Sequence, residues 1–141
     1  MKGLTVDIKL KDSNDFSKED IEQLVELYQE LRWTNDRRPS EIAEMLANST
    51  VVLSLWNGRK LIGFARVLSD MVYRATVWDI VVRPEYQGKG LGRELVEAVL
   101  NHPRLARVEK FWLVTAKPDF YHRFGFVKDD DSMVLTRETR E

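Results

Sequence analysis

The chain has 141 residues, of which 22 are Lys or Arg and 23 are Asp or Glu. Its formal net charge of -1 lacks the global basic excess of a nucleic-acid binder. It contains no cysteine, which excludes disulfides, thiolate nucleophiles and cysteine-ligated metals and suits a reducing or an oxidising compartment equally, with the cytosol as the default. A composition 43% hydrophobic and 32% charged is that of an ordinary globular chain, and the length suits one domain spanning residues 1–141.

Leu4, Val6, Ile8 and Leu10 alternate with polar residues and predict an opening strand. The same stretch carries no continuous apolar run, so neither a signal peptide nor a membrane span is expected. From Lys18 to Trp33, the residues Ile21, Leu24, Val25, Tyr28 and Leu31 recur at helical spacing. Ser17 and Asp20 before them form a weak capping box. Residues 35–39 are a break, after which Ser40 is placed as the cap of a short helix with Ile42, Met45 and Leu46 on one face. Trp33, Arg37 and Arg38 lie in or beside this break.

The run from Thr50 to Trp56, the pair Asn57-Gly58 and the run from Lys60 to Leu68 predict a tight hairpin, because Asn-Gly tolerates positive φ. Thr76 to Arg83 is β-branched and stops at Pro84, so it is expected as a central strand. Leu91, Leu95, Val96, Val99 and Leu100 then describe a helix that ends before Pro103. A buried strand over Phe111 to Thr115, a short helix from Asp119 to Phe124 closed by Gly125, and a final strand from Met133 to Thr136 complete the pattern. Strands and helices in this order imply an α/β or α+β fold with a mixed sheet and helices on its faces.

Chemistry concentrates in the segment VVRPEYQGKGLGREL. Gly88, Gly90 and Gly92 let the backbone turn sharply where a strand gives way to a helix, and the amides from Gly88 to Arg93 sit at the positive end of the helix dipole. With Lys89 and Arg93 nearby, such a turn can cradle a pyrophosphate. Its spacing matches neither GxGxxG nor GxxxxGK[ST], which disfavours a dinucleotide or nucleoside triphosphate. A plain tight turn is the alternative.

The segment resembles the acetyl-CoA signature Q/R-x-x-G-x-G/A of the GNAT acetyltransferase superfamily, met by Gln87, Gly90 and Gly92. The preceding strand, the following helix and the later FYHRFGF fall where that family has them, and almost the whole chain is covered. The stretch ATVWDIVVRPEYQGKGLG and the short length are similar to the small plastid and cyanobacterial enzymes that acetylate arylalkylamines or protein amines. This resemblance implies a mostly antiparallel twisted sheet with helices on both faces, a splayed pair of parallel strands and acetyl-CoA as donor; no metal is expected, because no close pair or carboxylate cluster around His102 or His122 has zinc-ligand spacing. It also implies an amine acceptor and allows a homodimer. Ile80, Val81 and Val82 would pair with the pantetheine arm, an amide near Val82 would face the carbonyl oxygen, and Gln87, Gly88, Lys89, Gly90, Leu91, Gly92 and Arg93 would hold the diphosphate.

Transfer to an amine needs a neutral nitrogen and a proton for the departing thiolate. Asp79, a carboxylate inside an apolar strand, is the candidate base or amine anchor, or else a structural partner of Arg66 or Arg74. Tyr121 is the resemblance's candidate acid, against the alternative of a hydrogen-bonded core tyrosine. Phe120, Phe124 and Phe126 are assigned to packing, His102 and His122 to surface or packing. Without cysteine, direct attack by the amine in a ternary complex is expected. A CoA-binding module without turnover is the rival reading.

Overall fold

The computed structural model describes residues 7–31 and 36–137. Leu4, Val6 and Trp33, with the end of the first predicted helix, therefore lie outside the described residues. Within the described residues, five strands, β1 (Ile8–Asp12), β2 (Val51–Asn57), β3 (Lys60–Ser69), β4 (Arg74–Val82) and β5 (Lys110–Trp112), form one sheet in the order β1-β2-β3-β4-β5. The first four pair antiparallel, whereas β4 and β5 run parallel. Among the described residues, four α-helices accompany them: α1 (Lys18–Leu31), α2 (Pro39–Ala47), α3 (Leu91–Leu100) and α4 (Pro118–His122).

Each sheet face has its own apolar layer. Val51, Leu53, Leu55, Ile62, Ala65, Val67, Ala75 and Val77 meet Leu91, Leu95 and Val99 of α3. On the opposite face, Val52, Trp56, Leu61, Phe64 and Val81 meet Leu24, Leu27 and Tyr28 of α1 and Ile42 and Leu46 of α2. The alternation along β2 and β3 thus feeds two cores, which is why both strands are buried over most of their length.

Local signals act where their chemistry is specific. Ser17 and Asp20 make the reciprocal capping box, Asp20 N–H to Ser17 Oγ at 3.1 Å and Ser17 N–H to Asp20 Oδ2 at 3.1 Å. Ser40 does not cap α2. That helix begins at Pro39 with Arg38 as its N-cap residue and no side-chain cap, because proline's fixed φ and missing N–H suit the first helical position. The hairpin forms, but Asn57 pairs with Lys60, so the loop residues are Gly58 and Arg59, with Gly58 at φ 62°.

Near the C-terminus, two expectations are corrected. The strand expected to be buried over Phe111 to Thr115 is three residues long, with Lys110 and Trp112 exposed and Phe111 half-buried. Its register covers only Arg74–Thr76, since β5 is the last strand of the sheet and nothing pairs with its outer side among the described residues. Met133 to Thr136 is not a strand, and Met133, Val134 and Leu135 stand exposed. Apolar, β-prone residues make a strand only where a neighbour accepts their backbone hydrogen bonds. Leu10, likewise on an outer strand, is exposed and buries little of the expected stripe.

Candidate functional site

Three features of β4 build the site. The first is a bulge. Arg66 pairs with Trp78 and Phe64 with Val81, so Asp79 and Ile80 together oppose Ala65, and Asp79 takes φ 59°. Strict alternation would send Asp79 toward α3 with Ala75 and Val77. The bulge turns it to the α1–α2 face, where aspartate's tolerance of the left-handed region makes the geometry accessible.

There its carboxylate is enclosed, with 2% of the side chain exposed. Oδ2 accepts from Tyr28 Oη at 3.1 Å, Arg37 Nη1 at 2.9 Å and Arg66 Nε at 2.8 Å. Burial and the adjacent Asp79 charge push the Tyr28 hydroxyl far above the tyrosine range, so it stays protonated and donates. The guanidinium of Arg37 lies 4.8 Å from the Tyr28 ring centroid. Of the two partners proposed from sequence, Arg66 is engaged. Arg74 instead reaches Glu109 at 3.7 Å. Tyr28 was not singled out from sequence because it occupies the same helical stripe as Leu24 and Leu27. Arg37 is named from sequence in the break between the first two helices, the region that in the resembled family often shapes the acceptor pocket, but no periodicity there points it at Asp79.

The second feature is the parting of β4 from β5. Their pairing ends at Thr76 opposite Trp112, so residues 77–82 have no β5 partner on that side. Ile80 and Val82 pack against the α3 core, Val81 against the α1–α2 core, and the strand's exposed edge carries backbone groups. Gln87 Nε2 donates to the Val82 carbonyl at 2.9 Å and ties the following turn to the strand end.

The third is that turn. A single 3-10 turn over Pro84–Tyr86 leads into Gln87, Gly88 at φ 78°, Lys89 and Gly90 at φ 82°. Gly90 is the N-cap residue of α3 and supplies no side-chain acceptor. The first bond of the helix runs from Glu94 N–H to the Gly90 carbonyl at 3.1 Å, so the amides of Leu91, Gly92 and Arg93 precede the ladder. Lys89 and Arg93 are exposed, whereas the Leu91 side chain is buried in the core, leaving its backbone as the group that can meet a ligand.

Helix α4 reaches this turn through Phe120. A methyl group added at Gly92 would lie 3.4 Å from Phe120 Cζ, so the ring sits directly on the start of α3. Tyr121 follows, half-buried, with its ring edge-on to Phe120 at 4.9 Å and to Phe126 at 5.8 Å. Burial raises its hydroxyl pKa above the ordinary value, and among the described residues that hydroxyl has no hydrogen-bond partner. Phe120 and Phe126 pack against it and Phe124 packs against Phe120 at 5.4 Å, the packing roles expected of all three.

His122 is exposed. His102 is buried, accepts the Arg104 N–H on Nδ1 and places Nε2 2.7 Å from Asp12 Oδ2, which assigns the ring proton to Nε2. Among the described residues, no group of three His, Asp or Glu could hold a metal ion. No described helix is long and apolar enough to cross a membrane.

Three substitutions test this geometry through stability. Removing the carboxylate by Asp79→Ala leaves two guanidiniums without their shared partner and should lower unfolding free energy by about 3 kcal/mol or more in urea titration. Gly90→Ala meets no atom within 4 Å yet must hold φ 82°, so it should cost about 1–2 kcal/mol through backbone strain alone. Gly92→Ala, at ordinary contact distance, should cost less than Gly90→Ala in the same titration.

Comparison with known proteins accounts for this arrangement. The family model described as "Acetyltransferase (GNAT) family" matches residues 15–126. An uncharacterized N-acetyltransferase, ycf52, from Pyropia yezoensis is 34% identical over 135 residues, covering 90% of this chain and 74% of its own. A GNAT-family acetyltransferase from Streptococcus pneumoniae superposes with a TM-score of 0.76 at 25% identity, covering 94% of this chain and all of its own. A predicted acetyltransferase from Clostridium acetobutylicum, solved with acetyl-CoA, shares the fold with a TM-score of 0.71 at 16% identity, covering 92% of this chain and 96% of its own. With the parted strands, the uncapped glycine turn and these likenesses together, the chain belongs to the GNAT family of acetyltransferases.

Proposed function

We propose that this protein transfers the acetyl group of acetyl-CoA to a primary amine by direct attack in a ternary complex. The observation that carries the proposal is the open edge of β4 over residues 77–82, which leads into three helix-start amides that no side chain caps. A pantetheine arm can add along that edge as a strand would. The diphosphate then meets the amides of Leu91, Gly92 and Arg93 at the positive helix end, with Lys89 and Arg93 beside it. Ile80, Val81 and Val82 supply the edge, and an amide near Val82 is the donor for the carbonyl oxygen as negative charge develops on it. The Val82 carbonyl accepts from Gln87 Nε2 and keeps a second lone pair with which to pair with the arm.

Tyr121 is the proposed acid. Its hydroxyl has no competing partner among the described residues, and its raised pKa keeps the proton available to a departing thiolate throughout the neutral range. Asp79 serves less directly. Three donors already occupy Oδ2 and the side chain is almost wholly enclosed, so it can accept the amine's proton only through water and otherwise positions the two arginines. The chain has no cysteine to carry an acyl intermediate, in keeping with direct attack. The acceptor in this proposal is a primary amine, and the sequence alone leaves open a small arylalkylamine or polyamine, or a protein lysine or N-terminus.

Acetyl-CoA at a hundred times its Kd should stabilise the protein by about 2.7 kcal/mol, read as a rise in Tm; no rise would overturn the ligand assignment. Tyr121→Phe should keep that shift and lower kcat by about 10²–10⁴-fold in a thiol-release assay with amine acceptors. In the parent protein, loss of the acid lies above the usual tyrosine range, so kcat should show no descending limb from this group below about pH 10. Binding of acetyl-CoA without thiol release from any amine would point to a non-catalytic module.

A further inference from the structure

The charges around Asp79 do not cancel. Arg37 and Arg66 both end on the same Oδ2, at 2.9 and 2.8 Å, and Asp79 is the carboxylate within 4 Å of either guanidinium among the described residues. Two positive charges therefore face one negative charge. Arg66 is largely enclosed with 13% of its side chain exposed, whereas Arg37 shows 30%, so the surplus charge reaches the surface through Arg37.

That guanidinium is fixed before any ligand arrives. It is held by Asp79, by the Tyr28 ring, and by the sulfur of Met45 at 3.7 Å from Nη1. Its hydrogen bonds to described residues use Nη1, which leaves Nε and Nη2 for a planar anion in the forked geometry that arginine favours.

Beside it lies a strip of the same sheet face that no described helix covers. Trp78 stands opposite Arg66, Leu68 opposite Thr76, and Trp112 opposite Thr76 from the parallel strand. Helices α1 and α2 pack on Val52, Trp56, Leu61, Phe64 and Val81 and leave this end bare, with Trp78, Leu68 and Trp112 all exposed.

We infer that the amine acceptor carries a carboxylate bound by Arg37 and an aromatic or apolar body that lies on Trp78, as an aromatic amino acid does. This rests on the acetyltransferase reading of the same site. A fixed surplus cation disfavours a plain alkylammonium nearby and favours an acceptor whose own anion offsets it, while biasing the nitrogen toward its neutral, reactive form. A site with a dedicated donor for one substrate group discriminates against the analogue lacking that group, because the donor is then left unpaired.

Matched pairs test this, tryptophan against tryptamine and phenylalanine against phenethylamine, in thiol release from acetyl-CoA. The acid of each pair should show kcat/KM at least about tenfold higher, and Arg37→Leu should bring the ratio close to one. Arg37→Gln keeps a donor toward Asp79 without the charge and should also collapse the ratio, whereas Arg37→Lys should retain part of it. A second arm needs no turnover: with CoA present, equilibrium dialysis should find N-acetyltryptophan bound at least about tenfold tighter than N-acetyltryptamine. Equal or reversed preference in the dialysis arm, or in a turnover assay that releases thiol, overturns the inference, as does a preference that survives both Arg37→Leu and Arg37→Gln. Loss of the acetyl-CoA-induced rise in Tm in the parent protein would instead mark failure of the acetyltransferase reading.

Discussion

One carboxylate oxygen joins the sheet to the helices over it. Asp79 Oδ2 takes hydrogen from Tyr28 on α1, from Arg37 in the segment between α1 and α2, and from Arg66 on β3, so three separate parts of the chain converge on one point of β4. Convergence is possible because the bulge at Asp79 and Ile80 turns the carboxylate onto the helical face. A left-handed aspartate costs about 1 kcal/mol in backbone strain, and its charge must leave water as well. Hydrogen bonds from two cations and a protonated phenol offset both costs, and they do so only in this geometry. The bulge and the cluster therefore stand or fall together.

A few residues on, a second buried charge repeats the device. Arg83 is fully enclosed, donates from Nε to the Leu61 carbonyl, and pairs with Glu26 at 2.8 Å and Glu30 at 3.3 Å on α1. Residues 79 to 83 are thus held by α1 near both ends, and β3 pairs along one edge. Constraint on two sides leaves the remaining edge, where β5 departs after Trp112, as the place where backbone groups are free. Being held, they are also pre-positioned, and a ligand that adds along this edge has less conformational freedom to remove from the protein.

The glycine turn was legible in the residues because its chemistry is local. Gly88 and Gly90 take the left-handed conformations that only glycine adopts without strain, and the capping box at Ser17 and Asp20 likewise depends on two neighbours in sequence. Much of the candidate site was not legible for the opposite reason. The bulge depends on what opposes Ala65 across the sheet, and the partners of Asp79 lie 13 to 51 residues away. Tyr28 looks like a core residue because its ring is one, being buried against Phe64 at 6.3 Å while its hydroxyl serves Asp79. Met133 to Thr136 failed as a strand on similar grounds, since β-propensity expresses only half of a pairing.

Charge placement completes the division of labour. The chain is close to neutral overall, so its positive regions are local arrangements and not a consequence of composition. Lys89 and Arg93 stand exposed at the glycine turn, where water and salt screen them. Such charges raise the encounter rate of an anionic ligand more than they discriminate between ligands, and in the proposed cofactor site the directed amides of the helix start would do the discriminating. Arg37 and Arg66 are the reverse case. They are partly or largely withdrawn from solvent and locked by hydrogen bonds, so their field is strong over a few ångströms and weak beyond. A surplus cation retained in such a place costs stability in the empty protein, because one guanidinium more than Asp79 can neutralise has been partly desolvated. On the acceptor proposed above, that cost is recovered when an anion arrives to share it, and the same two arginines that hold β4 in shape would also weight the site toward a substrate that brings its own negative charge.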